Sequence, residues 1–114
     1  MKRFKNTIVS LLLVFLTTGV FSTATYGADV GVIVLMTRKC FIVETNMGYV
    51  IIDGWVSASK GDTVIANDFN TYGSIEIFDT NGQDISGYIY IEDWGLSKSR
   101  LQDKWNDKYR DKCT

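Results

Sequence analysis

The chain has 114 residues, 12 Lys/Arg against 13 Asp/Glu, two cysteines and no histidine. That length suits one small domain, and a near-neutral charge without a basic run argues against nucleic acid or an anionic membrane as partner, because neutralising phosphates takes clustered Lys/Arg. The missing histidine excludes Ser-His-Asp and Cys-His nucleophiles and the His-containing zinc sites.

Lys2, Arg3 and Lys5 precede a mostly apolar, uncharged run from Ile8 to Phe21, followed by small residues at Ser22, Ala24, Thr25, Gly27 and Ala28. Positive, apolar, small is the order of a secretory signal peptide, and the run is shorter than the ~20 residues a membrane span needs. Residues 1–27 are therefore expected to be removed after Gly27, leaving a periplasmic or secreted domain over 28–114 with no integral membrane span. That remainder carries 9 Lys/Arg against 13 Asp/Glu, a net charge of −4. An even cysteine count in an exported chain predicts a disulfide between Cys40 and Cys113, closing nearly the whole domain.

Val30 to Glu44 is β-rich, with Arg38 and Lys39 in its middle, and predicts one long bent strand or two short ones. Thr45-Asn46-Met47-Gly48 supplies a turn, and Tyr49 to Ile52 a further strand stopping at Asp53-Gly54. Both runs are continuously apolar rather than alternating, which implies burial on both faces or closure into a barrel. A polar loop leads to a short strand at Thr63–Ala66. Ser74 to Phe78 then alternates, and the Asn81-Gly82 dipeptide marks a hairpin tip whose second strand runs from Ile85 to Glu92. Asp79, Asn81 and Asp84 at that tip do not follow a calcium-loop pattern, because the glycine is misplaced and the twelfth position is Tyr90. No metal or cofactor is expected.

From Ser97 the periodicity becomes helical. Leu101, Trp105, Tyr109 and Cys113 stand four apart on one face, flanked by a row of Asp103, Asp107 and Asp111 and a row of Lys104, Lys108 and Lys112. The charged rows are expected to be solvated. Trp94, Trp105 and Tyr109 are expected to form the core beneath the helix, with Ser97 as its N-cap.

Short connections predict a mainly β fold, a small antiparallel barrel of five or six strands with one C-terminal helix, SH3-like or alternatively OB-like. Glu92-Asp93 beside Trp94 is the best carboxylate pair for acid–base chemistry, yet strand neighbours point to opposite faces, so no catalytic residue is assigned. Aromatics outnumber what so small a core hides, and Trp55, Phe69 and Tyr72, on predicted loops, are the expected binding residues. The expectation is an exported bacterial-type module that is not an enzyme and binds another protein. The alternative is a glycan-binding subunit of a secreted oligomer, since the architecture is similar to that of small secreted barrel subunits of bacterial toxins, without a shared motif.

Overall fold

In the computed structural model, residues 28–114 are described; the signal peptide expected over residues 1–27 lies outside the described residues. Strands β1 (Asp29–Met36), β2 (Cys40–Thr45), β3 (Gly48–Val56), β4 (Thr63–Ala66) and β5 (Ser86–Leu96) make one curled antiparallel sheet in the order β4-β1-β2-β3-β5. The long apolar run divides into β1 and β2 at Thr37. Its hydroxyl both accepts from the Cys40 N–H and donates to the Cys40 carbonyl, each at 3.0 Å, and so closes a tight turn.

The continuous apolar runs are explained by a sheet buried on both faces. Phe41, Val43, Val50 and Ile52 join the cluster inside the curl, while Cys40, Ile42 and Ile51 join a second cluster outside it. The outer cluster is completed by the C-terminal helix through Leu101, Trp105, Tyr109 and Cys113. Trp105 and Tyr109 therefore lie under the helix as expected, but Trp94 packs against the inner cluster instead.

Three strands differ from expectation, the first being β5, which runs four residues past Glu92, through Gly95 to Leu96. β3 passes through Asp53-Gly54 instead of stopping there, because Gly54 takes φ +122° and lets β5 lie close: a Cβ at this position would sit 1.8 Å from the Tyr88 carbonyl oxygen. The expected strand Ser74–Phe78 is not a regular one. Ile77 gives its N–H to the Ser86 hydroxyl at 2.7 Å, and that hydroxyl donates to the Asp84 carboxylate at 2.7 Å, so a side chain replaces part of the ladder.

β1 and β3 are both antiparallel to β2, so β4 and β5, each antiparallel to its neighbour, run in the same direction. An antiparallel closure needs one more pass of chain between them. Gly73 to Phe78 makes that pass through isolated bridges, Gly73 to Ile91 on the β5 side and Phe78 to Ile65 on the β4 side. The outcome is a half-barrel spanned by an irregular segment rather than a fully laddered barrel.

Helix α1 (Lys98–Lys104) starts at Ser97, whose hydroxyl accepts the Arg100 N–H. A π-helical turn (Trp105–Tyr109) follows, with the Arg110 N–H reaching the Trp105 carbonyl, and α2 (Arg110–Cys113) ends the helical run. The cause is legible in the spacing. Four residues overshoot an α-helical turn by about 40°, so three such steps from Leu101 to Cys113 would drift by about 120°. The wider π turn takes back much of that drift and holds all four side chains on the sheet. Cys113 then bonds to Cys40, 73 residues away in sequence, as expected. Closing a loop of this size contributes about 4 kcal/mol in the chain-entropy account. Among the described residues no helix is long and apolar enough to cross a membrane.

Candidate functional site

The helical run covers only part of the sheet's outer face. Beside it, a cleft of about 320 Å³ opens between the helix and strands β1, β2 and β3. Val34, Leu35 and Ile42 form the sheet side, Leu101 and Trp105 the helix side, and Tyr49, Lys98, Gln102 and Asn106 the rest of the lining. β1 extends this apolar surface, because Val30 and Val32 alternate with the buried Ile33 and stand 36% and 39% exposed.

Polar chemistry at the rim is set by neighbours on the sheet. Tyr49 pairs across β2–β3 with Glu44, whose charge, followed by partial burial and a hydrogen bond, holds the Tyr49 hydroxyl above its ordinary pKa. Asn106 accepts a hydrogen bond from the Arg110 guanidinium.

The helix is clamped on its other flank by the Glu92-Asp93 pair. The expectation that these neighbours diverge is wrong, for a local reason. Ile51 and Ile52 stand opposite Asp93 and Ile91, so Glu92 is the extra residue of a β-bulge and both carboxylates turn to the helix. Asp93 accepts from the Tyr109 hydroxyl at 3.0 Å and lies 3.4 Å from Lys104; Glu92 accepts from Lys112 at 3.0 Å. Burial, then the bond to Asp93, pushes the Tyr109 hydroxyl far above its usual pKa. Two of the lysines expected in solvent are thus docking contacts, and Lys108 lies over the Tyr109 ring at 5.2 Å. The carboxylates hold the helix in place, and neither lines the cleft on its other flank.

The three residues expected to bind are not brought together. Phe69 is fully buried in the inner cluster, which corrects the expectation that it is exposed: Asp29 accepts the Phe69 N–H at 2.8 Å and draws the loop onto β1. Tyr72 is 63% exposed and leans on Trp94 with ring centroids 6.0 Å apart, near the end of β5. Trp55 is 57% exposed, on β3 rather than in a loop. Its indole lies against Gly87 near the start of β5, where a Cβ would come within 2.3–2.6 Å of three contiguous ring atoms, Cε2, Cδ2 and Cζ2. Contact with adjacent ring carbons at such similar distances means that the indole presents its face to the glycine. Tyr88 and Tyr90, alternating with the buried Ile89 and Ile91, add exposed aromatic surface on the same strand.

The cleft escapes sequence reasoning because it exists only where the helix and β1 fail to meet. The available signal is the run Val30–Met36, apolar on both faces of a strand whose outer face the helix reaches only at its end. The hairpin-tip oxygens are accounted for by the turn: Asp79 accepts from the N–H groups of Asn81 and Gln83, and Asp84 accepts from Ser86, whose bonds hold the Asp84 carboxyl below its ordinary pKa. No family model, curated protein or solved structure matches the chain.

Proposed function

We propose that the protein is an exported, non-enzymatic binding module, a single small domain over 28–114, which holds a segment of another protein in the cleft between its helix and β1–β2. The observation that carries this reading is an apolar, open cleft of about 320 Å³ whose floor and wall are fixed by a disulfide and a buried hydrogen bond. Such a site is already in its binding geometry, so little ordering entropy opposes association. The disulfide fits a non-cytoplasmic location, which supports export. The consecutive β1-β2-β3 meander, with no helix before Lys98 among the described residues, favours the SH3-like description of the half-barrel over the OB-like one.

The test is a comparative pull-down from envelope extract with the oxidised protein, Leu35→Glu and Trp55→Ala. Proteins retained by the wild type and by Trp55→Ala but lost with Leu35→Glu place binding in the cleft. An unchanged set with Leu35→Glu rejects it.

A second reading, glycan binding, is favoured by the Trp55–Gly87 geometry. One face of the indole is seated on the β5 backbone and the other is open, with the exposed Tyr88 next to Gly87 on β5, and a flat exposed ring of this kind suits stacking on a sugar. Titrating tryptophan fluorescence against a glycan panel tests it. A response that Trp55→Ala abolishes supports the reading, and silence across the panel rejects it.

A further inference from the structure

We infer that the segment held by the cleft is acidic, presenting a short pair of bulky apolar side chains flanked by carboxylates; this rests on the cleft being the binding surface. The lining itself supplies the argument. Five of its residues are apolar, and the others bring an ammonium, two amides and a phenol, with no carboxylate among them. Lys98 is exposed at the helix start and takes no part in the two ion pairs found among the described residues, which use Lys104 and Lys112. The helix therefore commits two lysines to β5 and leaves one at the mouth of the cleft.

More positive charge stands nearby. Beyond Leu35, β1 runs to a tight turn that exposes Arg38 and Lys39, and the Arg110 guanidinium sits on the rim amide of Asn106. The opposing carboxylates are placed otherwise. Glu44 stands opposite Tyr49 on β2 without lining the cleft, and Asp103, Asp107 and Asp111 are exposed on the helix, likewise outside the lining. An acidic segment thus finds complementary charge around the cleft, while a net charge of −4 over residues 28–114 repels it elsewhere. Local attraction within general repulsion fixes where and in which orientation the partner docks.

The experiment is an NMR titration of the ¹⁵N-labelled, oxidised protein with two capped peptides, Ac-Glu-Leu-Phe-Glu-NH2 and Ac-Lys-Leu-Phe-Lys-NH2. The acidic peptide is expected to shift the amide signals of Leu101 and Gln102 and the Trp105 indole N–H, and to bind about fivefold or more tightly than the basic one. Lys98→Glu, an exposed change whose unfolding midpoint serves as the fold control, is expected to abolish or reverse that preference. Equal affinities, a preference for the basic peptide, or a preference that Lys98→Glu leaves unchanged overturns the acidic inference while the cleft remains the binding surface. Signals in the cleft that respond to neither peptide overturn both.

Discussion

The Tyr109 hydroxyl donates to the Asp93 carboxylate across 3.0 Å, joining the π-helical turn to the bulge in β5 inside the molecule. This contact sets the position of the helix, and with it the width of the cleft on the opposite flank.

Replacing Tyr109 with Phe leaves the buried Asp93 with Lys104 alone, at 3.4 Å. The expected cost is about 1–3 kcal/mol, read as a lower urea midpoint with unchanged slope. Alkaline pH probes the same bond. Because the folded state raises the Tyr109 pKa, first by burial and then through Asp93, it retains a proton that the unfolded chain releases above about pH 10. The contribution is complete below that pH and is lost as pH rises further; Tyr109→Phe should remove this part of the alkaline destabilisation.

Phe69 and Tyr72 should separate cleanly. Phe69→Ala empties a fully buried site in the inner cluster and is expected to cost about 3–5 kcal/mol in thermal or urea unfolding. Tyr72→Ala removes a ring that is 63% exposed and should cost under about 1 kcal/mol. Equal effects would show that the loop from Asn67 to Tyr72 is not anchored as described.

Much of this was legible in the sequence, and the failures have physical causes. The disulfide follows from an even cysteine count in a chain expected to be exported, the two-faced sheet from unbroken apolar runs, and the helix cap from Ser97. The four-residue spacing of Leu101, Trp105, Tyr109 and Cys113 is visible too, but its excess over 3.6 residues per turn signals a π turn only once all four side chains are known to meet one sheet. Phe69 departs from expectation because it lies between Asp68 and Asn70, a polar context that resembles a surface loop. Its anchor is Asp29, 40 residues away, and no local pattern records such a pairing. Glu92 and Asp93 broke the alternation rule because a bulge depends on the register of two strands. The cleft depends on three.

Gly54 and Gly87 both lie under close contacts, yet their alanine variants should differ. At Gly54 the added Cβ meets the Tyr88 carbonyl at 1.8 Å, with φ at +122°, and backbone has nowhere to go. The cost should exceed about 1 kcal/mol. At Gly87 the obstacle is the Trp55 ring, which is exposed and free to swing outward. Gly87→Ala should therefore alter near-UV circular dichroism and tryptophan emission with a smaller loss of stability than Gly54→Ala.

The binding claim is tested most directly by filling the cleft without disturbing what frames it. Gln102 is exposed and lines the cleft from the helix, so Gln102→Trp brings a large ring into it at a stability change of about 0.5 kcal/mol or less. In a calorimetric titration with Ac-Glu-Leu-Phe-Glu-NH2, the wild-type protein should release binding heat and Gln102→Trp should release none, with the two unfolding midpoints alike. Equal binding by the filled variant would contradict the assignment of the cleft as the functional surface.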